Sequence, residues 1–126
     1  MIKEVYCSFE VAKLLKEKGF DAQCRSAYTN YGQLFTTQIQ QYITNIVCSK
    51  GNLWECIAPT HQMAMKWLRE VYGIDIVIEI SDTSVNDRKY YCAIWDKNND
   101  SYILDLFKSY EDVVEAALKY CLENII

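Results

Sequence analysis

Histidine and proline each occur once in the 126 residues and glycine only four times, and each scarcity closes a line of function. A single histidine, with no C-x-x-C pair among the cysteines at 7, 24, 48, 56, 92 and 121, leaves no ligand spacing for structural zinc. The glycines at 19, 32, 51 and 73 stand alone, so no glycine-rich loop cradles a phosphate. No apolar run approaches the ~20 residues of a spanning helix. The start, Met1-Ile-Lys-Glu-Val-Tyr6, lacks the apolar core of a secretory signal, so the chain is expected to work in the cytosol, away from membranes. Nothing marks an oxidising compartment, and the cysteines read as reduced thiols, several of them in the core. Basic residues are outnumbered, 13 Lys and Arg against 17 Asp and Glu, for a net charge of −4. That balance argues against a nucleic-acid polymer as partner, because such affinity comes from many Lys and Arg contacts to phosphates. It leaves room for a local basic groove that takes a small anion.

What is present is an ordinary globular composition, 51% apolar and 24% charged, in a length that suits a single domain over 1–126. The clearest element is Ala58-Pro-Thr-His-Gln-Met-Ala-Met-Lys-Trp-Leu-Arg-Glu-Val-Tyr-Gly73. Thr60 reads as its N-cap and Gly73 as its C′ stop, and Met63, Ala64, Trp67, Leu68 and Val71 share one face. The following Ile74-Asp-Ile-Val-Ile-Glu-Ile80 alternates with period two and supplies an isoleucine surface on which that helix can lie. A first helix runs from Phe9 to about Lys18 behind a Ser8 cap, with Val11, Leu14 and Leu15 inward and Gly19 as its stop. A last helix follows the Ser109 cap, burying Val113, Val114, Ala117 and Cys121, with Leu118 and Ile125 on its shoulder.

Between the first two helices, Gln23–Tyr28 and Gln33–Thr37 read as strands flanking a turn at Thr29-Asn-Tyr-Gly32. Gln38–Cys48 carries apolar residues at helical spacing, but its β-branched residues and uncapped start favour an extended segment. Ser49–Asn52 reads as a turn and Leu53–Ile57 as a short strand. Further on, Ser81–Asp87 is a polar loop, Arg88–Trp95 a strand, Asp96–Asp100 a turn and Ser101–Phe107 the returning strand. Together these give an α+β domain, a mostly antiparallel, twisted sheet packed by three helices.

The chemistry-bearing residues are few. His61, with Thr60 and Gln62, opens the central helix, where free amides and the positive dipole end suit an anion. Water usually satisfies such amides, and an exposed first-turn histidine is the commoner outcome. Cys56 lies five residues before His61 across a proline, which defines no cysteine–histidine dyad. With no catalytic constellation, no cofactor motif and no metal set, the chain reads as a non-enzyme. Ten tyrosines and three tryptophans are its more unusual feature. Arg25, Tyr28, Arg88 and Tyr90, in strands or beside them, are residue types that stack on a base or anchor a protein partner, although sheet packing would absorb about half of such rings.

Three motifs add a resemblance: Ser8-Phe-Glu-Val-Ala-Lys-Leu-Leu-Lys-Glu-Lys-Gly-Phe20, Ala58-Pro-Thr-His-Gln-Met-Ala-Met-Lys-Trp-Leu-Arg-Glu70 and Tyr110-Glu-Asp-Val-Val-Glu-Ala-Ala-Leu-Lys-Tyr-Cys-Leu-Glu123. They resemble small proteins of Bacteroides phages and prophages, and more loosely a phage helix-sheet-helix sandwich domain. The resemblance covers the three helices, well under half the chain, and supplies no catalytic residues. It implies a phage or prophage origin and expression inside a bacterial cell. The expected function is therefore a phage accessory protein that binds and withholds a host component, a nucleotide immune signal held by Arg25, Tyr28, Thr60, His61, Gln62, Arg88 and Tyr90. The alternative is an inhibitor or adaptor of a host protein that uses the same tyrosines. Surplus apolar and aromatic residues in so small a chain point to a homo-oligomer.

Overall fold

A computed structural model describes residues 3–36, 42–48, 53–82 and 86–126, and over them the chain is α+β. The order is α1 (Phe9–Glu17), β1 (Ser26–Thr29), β2 (Leu34–Thr36), α2 (Asn45–Cys48), β3 (Trp54–Ile57), α3 (His61–Tyr72), β4 (Asp75–Asp82), β5 (Lys89–Trp95), β6 (Ser101–Phe107) and α4 (Tyr110–Tyr120). One π-helical turn, Cys121–Ile125, continues α4. The strands form two antiparallel three-stranded sheets, β2-β1-β3 and β4-β5-β6, in place of the single sheet expected. Two compact units contain them, Met1–Gln62 and Met63–Ile126.

In the first unit, Ser8 caps α1 by accepting from the Val11 amide, as its position predicts. At the other end Gly19 takes φ +90°, its amide donating to Lys16 O and that of Phe20 to Leu15 O, the paired bonds of a Schellman stop. The buried stripe is Val11, Ala12 and Leu15 rather than Leu14. Ala12 packs with Tyr28, Cys56 and Ala58, and the Phe9 ring lies 5.3 Å from that of Tyr28. Thr29 builds the β1–β2 turn, its hydroxyl accepting from the Tyr31 and Gln33 amides while Gly32 adopts φ +80°.

The segment read as extended is mixed. Ile43 bridges Cys24, but Asn45–Cys48 coils into α2; residues 38–41 and the expected turn at 49–52 lie outside the described residues. The Asn45 side chain accounts for the change. Its Nδ2 donates to Phe20 O at 2.6 Å, its Oδ1 accepts from the Ile57 amide at 2.9 Å, and its own amide donates to Asp21 Oδ1 at 2.7 Å. These three bonds fix Asn45 at the first position of α2.

In the second unit, Ile76, Ile78 and Ile80 of β4 stand opposite Ile94, Cys92 and Tyr90 of β5. The sequence reading gives this isoleucine face to α3; α4 is the helix that contacts all three strands. It buries Val113, Val114, Ala117 and Leu118, worth roughly 1.5–3 kcal/mol for each large side chain. Ser109 caps it, accepting from the Asp112 amide at 3.0 Å. On α3, Ala64 and Leu68 are buried as expected, whereas Val71 is 59% exposed. Both outer strands of this sheet carry an extra residue. Tyr90 pairs with Phe107 but Cys92 with Leu104, so Tyr91 faces both Asp105 and Leu106; a similar shift falls between Ile80 and Asp82 of β4. The slip breaks the expected alternation of β6: Phe107 turns in, and Leu106 is 57% exposed.

Candidate functional site

Of the residues expected to hold a ligand, three are drawn into the interior of the first unit. Tyr28 is buried and its hydroxyl donates to Cys7 O. Thr60 and His61 are buried too, because residues 5–7 run antiparallel to 59–61 across the helix start. The Cys7 amide donates to Pro59 O at 2.8 Å, Tyr6 bridges Thr60, and the His61 amide donates to Val5 O at 2.9 Å. A first-turn amide that an anion would use is thereby taken by a carbonyl, and the exposed histidine of the sequence reading is 5% exposed. Gln62 and Arg25 remain exposed, and the Arg25 guanidinium lies over the Tyr42 ring at 5.4 Å. In the second unit Arg88 is exposed, while Tyr90 is half-buried and meets Tyr110 edge-on at 6.3 Å. Within the first unit the structure thus links Tyr28 with the Thr60–His61 turn through Cys7, as core; Arg25 instead joins Tyr42.

Among the described residues no group of three or more His, Cys, Asp or Glu is placed to hold a metal. The cysteines are free and buried. Burial pushes the Cys24 thiol from 9.0 up to about 11, and those of Cys56 and Cys121 up to about 12, the wrong direction for a nucleophile at neutral pH. Among the described residues no helix is long and apolar enough to cross a membrane.

The surface that stands out is the side of the β4-β5-β6 sheet opposite the isoleucines. Directly paired residues share a face, so Val77, Ala93 and Ile103 form one apolar row across all three strands, flanked by the row Asp75, Trp95 and Ser101. Val77 is 41% exposed, Trp95 43% and Ile103 64%. On the other flank Glu79 pairs with Tyr91 and accepts its hydroxyl, with Asp105 and the displaced Leu106 beyond. That bond to Glu79 raises the Tyr91 pKa above its ordinary 10.0. The face therefore has an apolar centre, an indole, carboxylates at Asp75, Glu79 and Asp105 around it, and at the start of β5 a Lys89 already paired with Asp87 at 2.8 Å. The alternation of these strands is legible in the sequence, with the isoleucines as its most apolar side. The signal for the outward set was Val77, Trp95 and Ile103 at positions where a solvated sheet carries polar residues.

Comparison of the chain with family models, curated proteins and solved structures found no match.

Proposed function

We propose that this chain is a non-enzymatic binding protein that withholds a host protein by docking a basic, apolar segment on the outer face of the β4-β5-β6 sheet. The observation that carries the reading is the exposed row Val77–Ala93–Ile103 with Trp95 beside it. With Leu106, 57% exposed, these side chains make a contiguous apolar patch of the kind that marks an interaction site on a monomer's surface. Charge selects the occupant. A second copy stacked face to face would bring Asp75, Glu79 and Asp105 against the same carboxylates, whereas lysines or arginines around an apolar centre would meet them with opposite charge and could rest on the Trp95 ring.

Affinity capture from host lysate tests this with three baits. Wild type is expected to retain a stoichiometric basic protein that high salt releases; Ile103→Glu and the charge reversal Glu79→Lys are expected to lose it. Equal capture by all three, or a wild type that is a salt-resistant dimer by light scattering, would refute it.

A second reading, sequestration of a nucleotide signal, rests on the exposed Arg25 guanidinium over the exposed Tyr42 ring, a plane and a cation that suit a base and a phosphate. Calorimetric titration with cyclic and ADP-ribose nucleotides checks it, and binding that survives Arg25→Ala would remove that pair from the account.

A further inference from the structure

The end of α3, the β5–β6 turn and the last residues of the chain enclose a cleft of about 510 Å³ in the second unit, within the range of ~300–1,000 Å³ usual for small-molecule sites. Its apolar surface comes from Tyr72, Ile125 and Ile126 over the buried Ile74, and Val71, the valine left exposed on α3, forms the lip. Gly73 makes the cleft narrow: a Cβ there would meet Lys97 Cβ at 3.2 Å, so its bare backbone at φ +66° lets the turn close in. That turn is stiff. Asp96 Oδ1 accepts from the amides of Asn98 at 2.8 Å and Asp100 at 3.0 Å, and Oδ2 from the Tyr102 hydroxyl at 3.3 Å. The Asp96 carboxylate keeps its charge but turns both oxygens to its own turn, while the Lys97 ammonium at the rim takes part in none of the ion pairs among the described residues.

We infer that this cleft binds a small amphiphilic anion, its apolar body lying against Val71, Tyr72 and Ile125 and its acid group on Lys97. The site shares no residue with the sheet face, so it stands or falls separately from the proposed docking of a protein.

The probe is 8-anilinonaphthalene-1-sulfonate, an aromatic body with one sulfonate, followed by its fluorescence in titration. Saturable binding at one site is expected. Lys97→Glu is expected to weaken it about tenfold, the scale of one charge-assisted hydrogen bond, and Val71→Glu to weaken it by placing a carboxylate at the lip; both positions are exposed. Ile103→Glu should leave it unchanged. Decanoate should displace the probe and decyltrimethylammonium should not. Unchanged affinity in both cleft variants, loss in Ile103→Glu, displacement by the cation as readily as by the acid, or no saturable binding would each overturn the assignment.

Discussion

At the scale of single residues, Asn45 ties distant segments of the first unit together. Its side chain joins the carbonyl after α1 to the amide of Ile57 on β3, partners 25 and 12 residues away. Asn45→Ala would strand a buried donor and a buried acceptor, and is expected to lower the unfolding free energy by roughly 2–4 kcal/mol in urea titration. Asn45→Asp should rescue little, since it keeps the acceptor for Ile57 but loses the donor to Phe20. Nothing in the sequence announced this residue, because its partners are set by chain segments that periodicity does not relate. The buried His61 escaped for the same reason: what covers it is a segment more than fifty residues earlier, as the contact between Cys7 Sγ and Thr60 O across 53 positions shows. The thiols make a second prediction. Folded protein should leave all six cysteines unreactive to a disulfide reagent near neutral pH, and denatured protein should expose six. The folded-state values for Cys24, Cys56 and Cys121 lie above the ordinary 9.0, so their contribution to stability is complete below about pH 9 and is lost as pH rises towards about 11 and 12. Urea midpoints measured across that window are expected to fall; a flat profile would show that the three thiols are not buried in the folded protein.

At the scale of elements, local chemistry was the readable part. Ser8, Gly19, Gly73 and Ser109 sit where the α1, α3 and α4 boundaries require them, since caps and left-handed stops are satisfied within a few residues. Ser109→Ala is expected to cost about 1 kcal/mol by thermal or urea unfolding. Less legible were features that depend on pairing between strands. The alternation of β6 predicts Leu106 on the same side as Tyr102 and Leu104, and only the register with β5 reveals the extra residue that turns it out. The choice between α3 and α4 as cover for the isoleucines is likewise unmarked, as both helices have an apolar stripe and each is joined to a strand of that sheet by a two-residue connection.

At the scale of the whole molecule, the α+β character follows from the order of helical and alternating segments, but their division into two sheets does not, because nothing in a strand's own residues names its neighbour. The candidate site shows the same limit. Residue type pointed to tyrosines and arginines, and burial then absorbed Tyr28 while leaving an aliphatic face and an indole in water. A variant such as Ile103→Glu, on the open face of the second sheet, is expected to change stability by no more than about 0.5 kcal/mol while losing the captured partner. Parallel denaturation and capture assays separate that outcome from unfolding.

The irregular spacing on the two outer strands of the second sheet carries a consequence for how this chain meets others. An added strand needs an unbroken ladder of amides and carbonyls, and β4 and β6 each interrupt theirs where the pairing slips. Rim-to-rim annealing past those points is therefore disfavoured on both outer strands, and a thioflavin assay of concentrated protein is expected to stay flat.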